Sequence, residues 1–427
     1  MPLVQPIKFS ALLCCCLLFW WRSSAQPLAS FPGAEGFGAL ATGGRGGERY
    51  HVTSLADSGN GSFREAVSKA GRTVVFDVCG VIKIGDKIKA AESLTIAGQT
   101  APGAGVVVYG NTVSFSSNTI VRYMRFRGSI GMAKGSCTVV ADDLNNIIFD
   151  HVSIQWGRWD NLHLKNSSDI TMQYCIIGES IEPQRFGALL EGPTNFSMHH
   201  CLWIDNQSRN PKAKAGISYV NNIVYNWGAS GLVGGHSEAD HFQDIINNYF
   251  IAGPNSTPNF IAMFSATDHV YQSGNYVDLD KNGSLNGRLV ADSDFTKATA
   301  TLLEKPTHSP LIPVKVEDAA AACRTVLQTA GASIVRDSVD SRLISYLQSM
   351  GTKGKIFQTE ADAGGQPTIY SDKALPDTDG DGIPDIWEKQ HGLQAGNGAD
   401  GKEFKLSKTY TNLEVYINSI PNRLSSK

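Results

Sequence analysis

The chain of 427 residues holds 37 Lys and Arg against 40 Asp and Glu, a formal net charge of -3, with 18% charged residues. That balance excludes wholesale nucleic-acid binding, although a local basic cleft can still hold an acidic polymer. The length allows two or three average domains or one long solenoid, and 43 glycines suit a fold made of turns.

The first element is a targeting segment. Lys8 precedes an apolar run from Ala11 to Trp21, and Ser23-Ser24-Ala25 supplies the small residues of a cleavage site. Residues 1–25 read as a secretory signal peptide, too short for a membrane span, so the mature protein is expected outside the cell or in a periplasm. Leu13 stands before Cys14 where a lipoprotein signal needs a small residue, which favours simple cleavage. Cys79, Cys137, Cys175, Cys201 and Cys323 remain, an odd number without a CxxC pair. Cys175 and Cys201 are expected as buried thiols or as a bridge.

Ser62-Phe-Arg-Glu-Ala-Val reads as a short helix capped by Ser62, with Glu65 three residues on, closing the open end of a solenoid. From about Thr73 to about Val277 a strand-like motif recurs. Aligning its copies places Tyr123, His151, Tyr174, His200, Asn222, Asn248 and Asn275 at one position, with steps of 28, 23, 26, 22, 26 and 27 residues. A period in this range means stacked supersecondary units. β-Branched content without a 3.6-residue pattern makes each unit one coil of a parallel β-helix, an all-β domain over residues 26–300. Asn in such a column can hydrogen-bond between coils and tolerates the left-handed corner.

Beyond Lys281 the pattern changes. Residues 318–329 and 339–349 read as helices of an extension, 301–370, that packs on or beside the solenoid. Residues 371–427 form an acidic module and tail, with a last helix expected from Tyr410. Within it, Asp377-Thr-Asp-Gly-Asp-Gly-Ile-Pro-Asp-Ile-Trp-Glu places acids at loop positions one, three, five, nine and twelve, with Gly382 at six. This is the EF-hand ligand pattern. Asp377, Asp379, Asp381, the Ile383 carbonyl and Glu388 are the expected Ca2+ ligands, with Asp385 acting directly or through water. A solitary loop of this kind is expected to order the tail, not to sense calcium.

Further motifs are Phe31-Pro-Gly-Ala-Glu-Gly-Phe-Gly, Thr95-Ile-Ala-Gly-Gln-Thr-Ala-Pro-Gly, Val121-Arg-Tyr-Met-Arg-Phe-Arg, Phe149-Asp-His-Val-Ser-Ile-Gln-Trp and Arg209-Asn-Pro. On these the chain, over about residues 31–280, resembles secreted bacterial pectate lyases of polysaccharide lyase family one, some of which carry a similar acidic tail. The resemblance implies a right-handed parallel β-helix and β-elimination on uronic-acid polymers. A base removes the proton at C5, the bond to the C4 oxygen breaks, and cations neutralise the adjoining carboxylate. Arg209 matches the catalytic Arg of the family's Arg-x-Pro-x-x-Arg motif, as base or as enolate stabiliser. Lys214 stands at the second Arg. A basic pKa above about 12 makes Arg an unusual base, and Lys supplies charge without a bidentate clamp.

The family's cleft calcium acids are replaced. Gly135 and Cys137 stand where two Asp are expected, and the other pair falls near Trp159 and His163, with Asp160 close by. Lys212, Lys214, Arg185 and His163 are candidates to hold substrate in place of that ion, and His236 is a candidate to line the cleft one coil beyond Arg209. The bland alternative for Arg209 is a surface pair with Asp205. Asp150-His151 is read as structural. A β-helical hydrolase would need paired carboxylates, for which Asp142-Asp143 is the candidate; a non-catalytic glycan-binding β-helix is the third reading. The partner expected is an acidic polysaccharide, bound by a monomer, with no nucleic acid and no membrane span.

Overall fold

The computed structural model describes Pro2 and residues 27–424, so the expected signal peptide lies outside the described residues apart from Pro2. The short apolar runs pair coil to coil into three long sheets, parallel except where Arg288–Leu289 runs antiparallel to Tyr276–Asp278. The first has eleven strands, from Glu48–Val52 to Thr301–Leu302; the second has ten, from Gly80–Lys83 to Arg288–Leu289; the third has eight, from Ile88–Lys89 to Ile261–Ala262. Inward side chains align in register. Ile147, Ile170, Phe196 and Ile217 stack on the first sheet, and Ile154, Ile177, Trp203, Val224 and Phe250 on the second. They meet Leu162, Ala188 and Leu190 of the third in one continuous core.

The corner column differs from its sequence alignment at one end. Register places Tyr123, His151, Tyr174, His200, Asn221, Asn247 and Gly274 together, all at positive φ. The rings of Tyr123, His151, Tyr174 and His200 stack with centroids 4.6, 4.9 and 5.1 Å apart. Asn222, Asn248 and Asn275 sit one residue further on, buried, continuing the column of Cys175 and Cys201. There each amide oxygen accepts the backbone N–H of the coil before: Cys201 N to Asn222 at 3.0 Å, Asn222 N to Asn248 at 2.8 Å and Asn248 N to Asn275 at 2.9 Å. The Asn-Asn dipeptides hide which residue turns inward. Cys175 and Cys201 are buried free thiols, as are Cys79, Cys137 and Cys323.

The cap is the single turn Phe63–Ala66, with Ser62 Oγ accepting from Glu65 N at 3.2 Å and Phe63 in the core. Residues 31–40 cross the outside of the first sheet. Gly38 N donates to Thr171 Oγ1 at 2.9 Å, and a Cβ on Gly38 would lie 2.2 Å from the Ile147 carbonyl, so only glycine permits this approach.

The extension forms helices Ala319–Thr329 and Ser338–Gln348, capped by Asp318 and Asp337. Cys323, Val326, Leu343 and Leu347 cover Ile204, Ile223 and Ile251 on the outer face of the second sheet. Arg125 and Arg127 point outward from that sheet and are fully buried beneath the helices. Arg127 contacts Asp337 at 2.6 and 3.0 Å and Asp340 at 3.1 Å; Arg125 contacts Asp340 at 3.1 Å. The C-terminal module packs Ile383, Trp387, Leu413 and Ile417 on Val75 and Ala97 of the first coils. Its last helix is Asn412–Leu424, and no helix among the described residues is long and apolar enough to cross a membrane.

Candidate active site and cation loop

Arg209 lies between the second-sheet strand Leu202–Ile204 and the third-sheet strand Lys212–Lys214, on a loop held from behind by buried amides. Asn206 accepts from Asn161 at 3.2 Å and Ser180 at 2.9 Å, and donates to Asn210 at 2.9 Å and to the Ile177 carbonyl at 3.0 Å. Ala188 N donates to the Arg209 carbonyl at 2.8 Å. Gly187 is needed there, since a Cβ would stand 2.3 Å from that oxygen.

The side chain is held on two sides. Arg209 Nη1 donates to Asp160 Oδ2 at 3.1 Å and Oδ1 at 3.3 Å, and the guanidinium carbon lies 4.1 Å from the centroid of Phe186. Its partner is therefore Asp160, not Asp205. The Asp205 carboxylate is buried and takes its hydrogen bond from Asn226. Asp160 is fully buried, and that burial raises its carboxyl to about 6 against the pull of Arg209 and His163.

The third sheet presents the other candidates. Lys212 and Lys214 alternate outward with buried Ala213 between them. Lys212 has no ion-pair partner among the described residues, and its ammonium is pushed below the ordinary range by burial and then by Arg209 and Lys214. Lys214 reaches Glu191 at 3.8 Å. His163 is bound to Asp142 at 2.8 Å and to Glu191 at 3.5 Å, chiefly the former raising its pKa above the usual range. So His163 sits between two acids, Asp142 and Glu191.

Asp143 turns away to the corner, where it accepts from Asn166 at 3.2 Å, so Asp142 and Asp143 do not form the facing carboxylates a hydrolase needs. Arg185 keeps its backbone beside Gln207 but buries an unpartnered Nε. His236 lies past the far end of strand Leu232–Gly234 with its amide on Asp268, roughly 15 Å along the strand direction from the Arg209 end. It is not brought to Arg209. Asp150 is a structural acid, bridging Arg122 at 2.7 Å and His151 at 2.8 Å.

Gly135 and Cys137, and Trp159 and His163 near which the resemblance implied the second pair of acids, do fall together. With Thr112, Leu189 and Asp142, whose carboxylate is taken up by His163, they line one groove of about 390 Å³. Their donors do not fit a hard cation: burial, and then Asp160, push the Cys137 thiol up to about 12, leaving it neutral. Sequence reasoning missed Phe186 and the amide network as the support of Arg209, and noticed Asp160 without giving it a role. Asn206 and Asn210, flanking Arg209 in the same motif, were the available signal.

The acidic loop is built otherwise. Asp377 accepts from the N–H groups of Gly380, Asp381 and Gly382. Asp379 Oδ2, Asp381 Oδ2, both Glu388 oxygens and Asp400 Oδ1 are buried without any hydrogen-bond partner. Ligand atoms of Asp377, Asp379 and Asp381 lie within 4.8 Å of one another, as do those of Asp381, Glu388 and Asp400. Burial in this cluster raises Asp381 and Glu388 to about 7. Orphaned buried carboxylate oxygens of this number fit a hard divalent cation. Asp385 departs from the expected pattern: its carboxylate binds the Thr378 amide and hydroxyl at 2.8 and 2.7 Å.

No family model matches the sequence. A protein of the fungus Neosartorya fischeri described as a probable pectate lyase C is 43% identical over 397 residues, covering 92% of this chain and 94% of that protein. Among solved structures, jun a 1, the major allergen from cedar pollen, superposes with a TM-score of 0.52 at 19% identity over 73% of this chain and 97% of its own. A pectate lyase bound to a hexasaccharide superposes with a TM-score of 0.50 at 12% identity, over 74% of this chain and 100% of its own. At those identities the two structures speak for the fold.

Proposed function

This chain belongs to the pectate lyase family and is a polysaccharide lyase, and from that premise we propose that it is secreted and cleaves pectate- or pectin-like uronans by β-elimination at Arg209. The family reaches beyond the bacterial type that the sequence motifs suggested, since the relative is fungal. The observation that carries the assignment is the Arg209 guanidinium fixed between Asp160 and Phe186 at the head of a strand bearing Lys212 and Lys214.

The chemistry asks for positive charge at a carboxylate and a proton acceptor beside C5. The base takes the C5 proton; its electron pair forms the double bond to C4; the C4–oxygen bond breaks, and the leaving oxygen takes a proton to become the new chain end. Arg209 and Lys212 supply fixed cations for the enolate that develops on the uronate carboxyl, a stabilisation worth most in a site that excludes water. Arg209 serves as that stabiliser or as the base. Lys214, Arg185 and His163 are the further groups that would meet neighbouring uronates. No step is routed through a cleft metal: Asp142, the acid lining the groove, is engaged by His163, and Cys137 beside it offers a neutral thiol.

Calcium is proposed instead for the C-terminal loop, through Asp377, Asp379, Asp381, the Ile383 carbonyl and Glu388, where it would supply structural order. Digestion of polygalacturonate and methylated pectin should release unsaturated ends that absorb in the ultraviolet, in calcium and in a chelator at a temperature where both forms stay folded. Reducing ends without that absorbance would make the protein a hydrolase. Loss of the reaction in chelator with the fold intact would restore a cleft ion.

A further inference from the structure

The loop's unpaired oxygens reach beyond the twelve-residue pattern. Resting on the calcium reading above, we propose that Asp400, from the turn Asp400–Lys402, completes the calcium shell in place of Asp385. Cation binding then fastens the C-terminal module to the first coils of the solenoid.

The two acids differ in every respect that matters to a cation. Asp400 is 4% exposed, and its Oδ1 is buried without a partner among the oxygens of Asp381 and Glu388, both 0% exposed. Its other oxygen accepts from Gln394 N at 2.9 Å, which fixes the carboxylate's direction. Asp385 is half-buried, and its two oxygens are satisfied by Thr378. The approach of the turn depends on Gly401, where a Cβ would stand 2.2 Å from Asp381 Oδ2.

The same turn is tied to the rest of the molecule. The Asp400 carbonyl accepts from Asn412 Nδ2 at 2.8 Å, joining it to the last helix. From the first strand, Arg49 donates to the Gly398 carbonyl at 2.7 Å, and His51 Nε2 lies 3.3 Å from the Gly380 carbonyl. Without a cation, Asp379, Asp381, Glu388 and Asp400 bury mutually repelling charge at this junction. With one, the loop, the turn and the strand Glu48–Val52 become a single cross-linked unit.

Terbium luminescence sensitised by Trp387, with Ca2+ as competitor, tests this on the full mature chain. Asp400→Asn should weaken Ca2+ at least about tenfold and Asp385→Asn by no more than about twofold, because affinity follows the charged ligand count. Asn relieves repulsion in the ion-free loop, so the variant should fold, and calcium should raise its melting temperature less than that of the wild type. Gly401→Ala should weaken binding in the same way. No terbium signal from the wild type would sink the calcium reading itself. Normal binding by Asp400→Asn, with loss in Asp385→Asn, would overturn the inference and leave calcium in place.

Discussion

Replacing Asp160 by Asn separates catalysis from stability. The substitution keeps the shape and one acceptor oxygen but removes the charge that holds Arg209 Nη1 at 3.1 Å. A hydrogen bond between charged groups is worth about 1.5–3 kcal/mol, so losing that orientation in the transition state should lower kcat roughly 10- to 100-fold. KM should change little, because Lys212 and Lys214 remain. Stability should move the other way. The folded carboxyl sits at about 6, above its ordinary 3.8. Its contribution is therefore fully present below the ordinary value and is withdrawn as pH rises through about 6, a loss of about 3 kcal/mol at neutral pH. The Asn variant escapes that loss.

The acid limb of activity has the matching sign. Protonation of Asp160 below about 6 releases Arg209, and the variant should lack that limb; His163, Glu191 and Cys137 are the other titratable groups around Asp160. The assay is kcat and KM from ultraviolet absorbance on polygalacturonate across pH, beside melting temperatures of both proteins. Unchanged kcat, or an activity loss that tracks a lower melting temperature, would refute the reasoning.

Three further substitutions probe the scaffold and the groove. Asp340→Ala strips Arg125 and Arg127 of a shared, fully buried carboxylate and should cost about 3–5 kcal/mol in urea unfolding, with Cys323 becoming open to thiol labelling as its helix lifts. Gly38→Ala places a Cβ 2.2 Å from the Ile147 carbonyl and should destabilise by about 1–3 kcal/mol, read as early proteolysis of residues 31–40 with activity retained in the folded fraction. Lys212→Met should raise KM and flatten its salt dependence, since an outward lysine beside Arg209 steers and holds a polyanion.

What was legible in the sequence was whatever repeats or caps locally. The coil period announced the β-helix, and Asp318 and Ser62 marked helix starts that the structure uses. The column slipped only where Asn221-Asn222 and Asn247-Asn248 offer two identical choices for the inward side chain. Long-range pairings were not legible. Asp160 and Arg209 are 49 residues apart, and Arg127 meets Asp337 across 210. Asp400 lies outside the loop pattern, and Asp385 fits that pattern while its carboxylate faces Thr378. Spacing along the chain shows residue type, but the winding of the coils decides which side chains meet.

The account rests most directly on Arg209. Initial rates of ultraviolet absorbance on polygalacturonate should be compared for the wild type and Arg209→Ala, with circular dichroism and melting to confirm equal folding. The account predicts that the wild type forms unsaturated ends and that the variant loses roughly 10²- to 10³-fold or more in kcat. A folded Arg209→Ala protein that still forms them at the wild-type rate would contradict it.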